Sequence, residues 1–235
     1  MKILAIECSA KPCSVALIED SKILASAFTN VGLTHSQTLM PMVEDVLKSS
    51  LFSIGDIDGF AVSAGPGSFT GIRIGISAVK GMAMPKKIPC AEISTLMAMA
   101  ENYIDSDCLV CAVMDARCSQ VYNALFQIEN GEIKRLCEDR ALMCDELKTE
   151  IEKLSEDGKK IVIVGDGTDV FYPFIKDIPN VSVSPDSRRY QNAVGVALAS
   201  IEKFSKNDVK NPDELLPIYL RLPQAERELK LKKEK

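Results

Sequence analysis

A glycine-rich loop is the part of the sequence best suited to bind a charged ligand. It reads GPGSFTG at residues 65–71 and precedes a helical pattern. Glycines adopt backbone conformations that other residues avoid, and Ser68 or Thr70 could cap the helix, whose free N–H groups attract anions. Phosphate binding is therefore one interpretation of this loop. Its candidate contacts are Gly65, Gly67, Ser68 and Thr70.

The same glycines also have a purely structural interpretation. They would let the chain turn tightly, while Gly71 and Gly75 would let another helix approach closely. The loop lacks the lysine of the GxxxxGK[ST] motif, and its place after a fourth strand is not that of a Rossmann fingerprint. The residues alone support phosphate contact and tight packing equally.

Three carboxylates form a second candidate set. Glu7 and Asp115 end matching strands of the two halves of the chain, and Asp166 lies in a second glycine turn. Carboxylates that meet in a cleft can orient a metal ion and an attacking water. Acids at strand ends more often cap turns, so catalysis is the weaker interpretation, and we retain Asp115 as a candidate nucleotide contact.

The histidine content limits the chemistry. His35 is the only histidine, which excludes a two-histidine metal site and a histidine pair for acid–base catalysis. It lies in the first turn of a predicted helix, where capping or contact with a partner is more common than catalysis. No GxSxG motif is present to expose a serine nucleophile. We therefore expect no metal site and no catalytic residue.

The cysteines favour a reducing environment. Eight of them are spread from Cys8 to Cys144 in a chain large enough to fold without disulfides, so we expect reduced thiols. Cys108 and Cys111 form a CxxC pattern inside an apolar run. Because a strand points residues three apart to opposite faces, the pattern predicts a buried strand rather than a metal or redox site.

Composition indicates an ordinary globular protein. Of 235 residues, 46% are hydrophobic and 26% are charged, and the formal net charge is -5. Such a chain has no broad positive surface for a phosphate backbone, so it is not an obvious nucleic-acid binder by itself. The apolar runs are too short for a signal-peptide core or for the roughly 18 residues of a membrane span. We expect a cytoplasmic protein with no membrane partner.

The elements that would position the candidate residues begin with a meander. Apolar or alternating runs predict strands at 2–7, 14–19 and 22–29, a helix at 34–47, a buried strand at 59–64 and, after the glycine loop, a second helix. Thr34 and Gln37 match a capping box, and Pro41 should kink or restart the first helix.

The second half repeats this order. Strands at 108–114, 120–128 and 132–137, the last two joined by Asn130 and Gly131, precede a helix at 145–154, a strand at 160–164, a GDG turn at 165–167 and a helix at 189–204. A β-β-β-α-β-α unit used twice is the plan of the actin-like (ASKHA) α/β fold, in which nucleotides bind between two lobes.

We therefore predict an N-terminal lobe at 1–103, a C-terminal lobe at 104–205 and a charged tail at 206–235. Residues 226–235 include eight charged side chains, which favours a solvated tail over one that contacts RNA. Packing of the tail against the first lobe is a further alternative.

Several sequence segments resemble one known family, the bacterial tRNA threonylcarbamoyladenosine biosynthesis proteins called TsaB or YeaZ. The resemblance covers nearly the whole chain, and its long glycine block is far more specific than a short glycine pattern. One departure is Glu7 with Cys8, where the family more commonly has aspartate and threonine. The resembling segments are ILAIECS at 3–9, SVAL at 14–17, HSQ at 35–37, GPGSFTGIRIG at 65–75, DAR at 115–117, GDG at 165–167 and PIYLR at 217–221.

The resemblance implies a non-catalytic subunit that binds a catalytic paralogue, TsaD, and with it the ATPase TsaE. TsaD holds its metal with a histidine pair, and the equivalent segment here, residues 90–99, contains no histidine. It further implies that the chain contacts tRNA only through the complex and forms a homodimer when it is alone. No cofactor would be tightly bound, although ATP or ADP could bind at a subunit boundary of the complex.

Dimers of this family form through helices of the first lobe, so the resemblance also implies a docking surface. Methionine suits a surface that pairs both with itself and with a paralogue. The candidate partner contacts are His35, Leu39, Met42, Arg73, Ile76 and Lys80.

Two alternatives remain open. The first is an ATPase or phosphotransferase of the actin-like superfold that uses the glycine loop with Glu7 and Asp115. The second is a peptidase, suggested by an older naming of related proteins and ranked last.

Overall fold

The computed structural model describes residues 1–221, which contain two mixed sheets. The first sheet is built from β1 (Lys2–Glu7), β2 (Cys13–Glu19), β3 (Lys22–Thr29), β4 (Gly59–Gly65) and β5 (Cys90–Ser94). Its order is β3-β2-β1-β4-β5, with β1 antiparallel to β2 and parallel to β4. The central strands β1 and β4 are buried on both faces, which explains their continuous apolar runs.

The second sheet is built from β6 (Cys108–Asp115), β7 (Gln120–Glu129), β8 (Glu132–Arg135), β9 (Arg140–Met143), β10 (Ile161–Val164) and β11 (Val181–Val183). Its order is β11-β10-β6-β7-β8, and β9 pairs with β7 beside β8. The side chains of Cys108 and Cys111 enter two different core clusters, on opposite faces of β6. This confirms the strand interpretation of the CxxC pattern.

Helices cover the sheets. Within the described residues they are α1 (His35–Ser50), α2 (Phe69–Ala83), α3 (Thr95–Glu101), α4 (Cys144–Glu156), α5 (Thr168–Ile175), α6 (Asp186–Arg189) and α7 (Ala193–Ser205). Apolar side chains at helical spacing bury one face of α1 and α2 against the first sheet. No helix in residues 1–221 has the length and apolar character needed to cross a membrane.

The predicted repeat is confirmed. In the first sheet the order β2-β1-β4 places the first strand of the half between its second and fourth strands, and in the second sheet the order β7-β6-β10 gives the same arrangement, with β10 as the fifth strand because β9 is additional. Strands β4 and β10 then each enter a glycine turn and a helix. The protein therefore has the actin-like α/β architecture, with two lobes of the same plan.

The last long helix, α7, ties the lobes together. Although it follows the second sheet in sequence, α7 packs on β1 and β2 of the first sheet, and its Val196 and Ala197 belong to the same core cluster as Ile3. The Ser14 hydroxyl accepts a hydrogen bond from the Ala193 N–H at 3.0 Å. The first lobe is therefore assembled from separate stretches of the chain, whereas the strands of the second sheet all lie in one stretch.

The segment 206–221, called here the C-terminal segment, also lies on the first lobe. Lys210 exchanges two backbone hydrogen bonds with Cys90, and Ile218 N–H donates to the Ala64 carbonyl at 2.7 Å. Leu215 is completely buried in the core of that lobe. The charged residues 226–235 lie outside the described part of the chain.

Some predicted details are wrong. The side chain of Thr34 accepts no capping hydrogen bond, so the predicted capping box does not form, and α1 continues through Pro41 instead of restarting there. The last helix begins at Ala193, because the preceding Arg188 and Arg189 belong to the short helix α6. The elements β5, α3, β9, α5 and β11 were not predicted.

Candidate functional site

A cleft of about 420 Å³ lies between the two lobes. The loop after β1 and the first turn of α2 line it on one side, and the end of β6 and the second glycine turn line it on the other. This is the location expected for a nucleotide in the fold. The lining residues are Ser9, Ala10, Lys11, Gly67, Ser68, Phe69, Met114, Asp115, Ala116, Arg117, Tyr122 and Asp166.

The carboxylate of the first lobe is withdrawn from this cleft. Glu7 is completely buried, accepts a hydrogen bond from the Ser9 N–H at 2.5 Å and accepts another from the Ser63 hydroxyl. Burial raises the pKa of Glu7 above its usual range. The side chain therefore holds the loop after β1 in place, and the suggestion that it acts beside Asp115 in the cleft is wrong.

The second lobe contributes the carboxylates of the cleft. The Asp115 carboxylate accepts a hydrogen bond from the Arg117 N–H at 2.7 Å, the turn-capping role common at strand ends. Asp166 accepts a hydrogen bond from the Gln191 amide at 2.6 Å. Burial, with a smaller effect from the charges of Asp115 and Glu7, raises the pKa of Asp166 to about 6.

The candidate phosphate contacts do not all face the cleft. Gly67 and Ser68 line it, together with Asp115, whereas Gly65 and Thr70 do not. The Ser68 N–H is already used, because it donates to the Ser9 carbonyl at 2.6 Å. The Ser68 hydroxyl caps α2 by accepting from the Gly71 N–H at 3.3 Å. The prediction of a helix cap at this position is confirmed.

Gly71 and Gly75 allow close approach within the chain itself. A Cβ atom on Gly71 would lie 1.9 Å from the Cys8 carbonyl oxygen, and one on Gly75 would meet Val62 and Ile6 at 3.4 and 3.5 Å. These glycines let α2 press against the first sheet and the loop after β1. The expectation that they face a partner helix is wrong.

Two of the six candidate partner contacts are also wrong. Leu39 and Ile76 are 1% and 4% exposed and belong to the core of the first lobe, because they lie on the faces of α1 and α2 that pack on the sheet. His35 is half-buried, and its Nε2 atom lies 2.8 Å from the Ala10 carbonyl oxygen.

The two cationic candidates are engaged by the C-terminal segment. The Arg73 guanidinium donates to the Tyr219 hydroxyl at 2.7 Å, and the Tyr219 ring stacks on Phe69 with centroids 4.3 Å apart. Lys80 donates to the Asp213 carbonyl at 3.0 Å. These contacts hold the segment against the outer face of α2.

An exposed apolar strip includes Met42, the last of the six candidate partner contacts. One shallow groove, of about 340 Å³, includes Phe28, Pro41 and Met42, and a second, of about 520 Å³, includes Met40, Pro41 and Met82. We call these five residues the α1 strip. Phe28 is 51% and Met40 is 48% exposed. Sequence reasoning named only Met42, although Met40 lies off the apolar face of the helix and gave a signal for a binding surface.

Comparison with known proteins identifies the family. Residues 29–228 match the family model described as TsaD, tRNA N6-adenosine threonylcarbamoyltransferase. The sequence is 30% identical, over 96% of each chain, to the tRNA threonylcarbamoyladenosine biosynthesis protein TsaB of Bacillus subtilis. The TsaB protein of Escherichia coli is 39% identical over 71% of this chain and 72% of its own length. This chain belongs to the TsaB family.

A solved structure agrees with this membership. YeaZ from Pseudomonas aeruginosa has a TM-score of 0.76 and 26% identity, and the match covers 93% of this chain and 99% of that one. The resemblance to the TsaB family, expected from the sequence, is confirmed together with the actin-like fold. The TsaB family takes part in the biosynthesis of threonylcarbamoyladenosine in tRNA.

Proposed function

We propose that this chain is a non-catalytic, cytoplasmic subunit that docks through the α1 strip on TsaD, the paralogue that transfers the threonylcarbamoyl group. The observation that carries the proposal is the exposed strip itself. It places Phe28, Met40 and Pro41 in contact with solvent on the outer side of the first lobe. TsaE would join the assembled pair, and tRNA would be contacted through the complex.

The chemistry of the cleft supports a non-catalytic role. Its acids come from one lobe only, because Glu7 is enclosed by Ser9 and Ser63. An actin-like enzyme would need groups from both sides to hold a metal ion and a water between them. The full sequence has one histidine, which cannot supply the pair that TsaD uses.

The composition of the strip supports a protein partner. Three of its five members are methionines, whose flexible and polarizable side chains adapt to more than one apolar surface. Exposed charged residues of α1, Glu44, Asp45 and Lys48, lie beside the apolar positions. An apolar centre with a polar rim is typical of protein interfaces.

The test is binding to the TsaD of the same source, with a matched control. Phe28→Asp and Met40→Glu should each weaken binding at least tenfold, which is about 1.4 kcal/mol. Tyr172→Asp changes a ring of the second lobe that is also 51% exposed and should bind like the unmodified chain. Melting curves establish that all three variants fold. Equal loss of binding in all three would contradict docking at the strip.

The non-catalytic role has its own test. Threonylcarbamoyl transfer to tRNA, reconstituted with TsaD, TsaE, ATP and threonylcarbamoyl-AMP, should depend on this chain and should fall with Phe28→Asp. Full transfer in its absence would contradict the proposal. Light scattering shows whether the isolated chain is a homodimer, and loss of the dimer in Phe28→Asp would place its interface at the same strip.

Nucleotide binding is the second candidate function, supported by the cleft with Gly67 and Ser68 on one side and Asp115 on the other. The ligand would be ATP or ADP, bound in this cleft between the two lobes. Tight calorimetric binding of ATP to the isolated chain, with hydrolysis lost in Asp115→Ala, would favour this alternative over the docking role. Peptidase activity remains the least supported candidate, since the chain has no GxSxG motif.

A further inference from the structure

Two buried thiols face each other at the end of the first hairpin. Cys8 directly follows β1 and Cys13 is the first residue of β2, so the hairpin brings them together across its loop. Their Sγ atoms are 3.8 Å apart, and the two residues are 2% and 1% exposed. The cleft does not include either side chain.

The only histidine of the chain completes this cluster. His35, the first residue of α1, directs Nε2 at the Ala10 carbonyl at 2.8 Å. A carbonyl oxygen accepts only, so Nε2 carries the proton and Nδ1 has a free lone pair. Nδ1 is buried and has no hydrogen-bond partner in the described residues. The two Sγ atoms and a ring nitrogen of His35 all lie within 4.8 Å of one another.

We propose that Cys8, Cys13 and His35 form a binding site for one soft divalent cation of the Zn²⁺ type. The donors would be both Sγ atoms and Nδ1 of the imidazole. This site differs in residues and position from the histidine-pair site expected of TsaD, and an ion bound there would overturn our expectation from the sequence that the chain has no metal site.

The sulfur–sulfur distance of the cluster fits tetrahedral coordination. Two sulfur atoms that each lie about 2.3 Å from a tetrahedral zinc are about 3.8 Å apart. The observed separation of 3.8 Å therefore needs almost no adjustment. The hydrogen bond from Nε2 to a backbone carbonyl is the arrangement that orients metal-binding histidines through their other nitrogen. Three protein ligands leave a fourth position for water or another donor.

The position of the site gives the ion a structural consequence. It would join the hairpin of the first sheet to the first turn of α1. A Cβ on Gly71 would lie 1.9 Å from the Cys8 carbonyl and 3.1 Å from a carbon of the His35 ring, so α2 passes against the same cluster. A bound ion would fix the start of α1, the helix that carries most of the α1 strip, relative to the first hairpin against which α2 packs.

Cobalt substitution of the isolated full chain tests the proposal independently of the proposed function. Cys118 is the one cysteine exposed in the described structure, so all measurements use a Cys118→Ser background. We expect one Co²⁺ per chain, the intense visible bands of tetrahedral cobalt and a sulfur-to-cobalt charge-transfer band. One equivalent of Zn²⁺ should displace the cobalt and raise the melting temperature.

Variants identify the ligands. Cys13→Ser and His35→Gln should each weaken Co²⁺ binding by at least about 100-fold, since removing even an outer partner of a ligand costs 10- to 100-fold. Cys144→Ser, which changes a buried thiol of the second lobe, is the matched control and should bind like its background. Circular dichroism establishes that each variant folds.

Three results would overturn the proposal. The first is that the tetrahedral bands do not develop when cobalt is added up to two equivalents per chain. The second is a spectrum unchanged by Cys13→Ser in a folded variant. The third is a mass lower by two hydrogens with Cys8 linked to Cys13 in one peptide, which would show a disulfide pair instead of a metal site.

Discussion

The two glycine turns occupy equivalent places in the two lobes, yet different parts of the chain close them. In the first lobe, a Cβ on Gly65 would lie 2.2 Å from the Ile218 carbonyl oxygen of the C-terminal segment. In the second lobe, a Cβ on Gly165 would lie 2.0 Å from the carbonyl of Val113 in the central strand β6. The first turn is covered by a distant segment and the second by its own sheet.

The carboxylates beside these turns also differ between the lobes, in whether they reach the cleft. Glu7 of the first lobe is enclosed, whereas Asp115 and Asp166 of the second lobe face the cleft. The two halves therefore keep one architecture, but only the second presents acids to a ligand between the lobes. The comparison teaches that repeated strands and turns do not preserve a repeated site, since Ser9 and Ser63 enclose the acid of the first lobe whereas the acids of the second lobe remain in the cleft.

The largest expected effect is at the turn of the second lobe. Gly165→Ala should lower the free energy of unfolding by more than about 4 kcal/mol, because φ is +104° and the new Cβ would strike a carbonyl in a buried strand that cannot move. Urea unfolding measures the change. Gly81→Ala, in open space on α2, is the control and should stabilise by about 0.5–1 kcal/mol. If Gly165→Ala lowered the free energy of unfolding by less than about 2 kcal/mol, the backbone of β6 would be able to move away from the new Cβ, contrary to our expectation.

The equivalent change in the first lobe should cost less and act locally. Gly65→Ala should destabilise by about 3 kcal/mol, from strain at a φ of +135° and from displacement of the C-terminal segment with its buried Leu215. Hydrogen exchange should show lost protection at Ile218, whose N–H now donates to Ala64. Retained protection there, with the same loss of stability as Gly165→Ala, would remove the distinction between the two turns.

The dependence of stability on pH tests the buried acid Asp166 of the second lobe. Its pKa rises from 3.8 to about 6 on folding, so the folded chain binds the proton more tightly and the protein loses stability as pH rises from about 4 to 6. Asp166→Asn removes this loss and should stabilise the protein above pH 6 by up to about 3 kcal/mol, at about 1.4 kcal/mol per pKa unit. The gain should vanish below about pH 4. A gain independent of pH, measured by unfolding across this range, would contradict the role of the buried carboxyl.

Sequence alone predicted the repeated architecture well, for a physical reason. The ends of β1 and β3 were predicted without error because apolar and alternating runs stop at polar turns, and Asn130 with Gly131 correctly predicted a hairpin. β5 and α3 were missed because residues 90–101 are mostly small or flexible side chains without a clear period. Local patterns identify the faces of an element, but not which distant element covers them.

The candidate site shows the same limit. Enclosure of Glu7 depends on Ser63, 56 residues away, and the meeting of Cys13 with His35 depends on how α1 enters the first lobe. Burial of Ile76 was visible from its helical spacing, although we named it as a partner contact. The α1 strip required the structure, because exposure of Phe28 on the edge strand β3 depends on what the rest of the chain leaves uncovered.

The smallest expected effect concerns the outer contact of the C-terminal segment. Tyr219→Phe removes the hydroxyl that accepts from Arg73 but keeps the ring on Phe69, so it should destabilise by less than about 1 kcal/mol at this exposed position. Tyr219→Ala also removes the stacked ring and should cost about 1 kcal/mol more. Because Leu215 and Ile218 anchor the segment beneath, hydrogen exchange at Ile218 should hardly change in either variant. If Tyr219→Phe released the whole segment, the exposed hydrogen bond from Arg73, and not the buried Leu215, would be what holds the segment over the first turn.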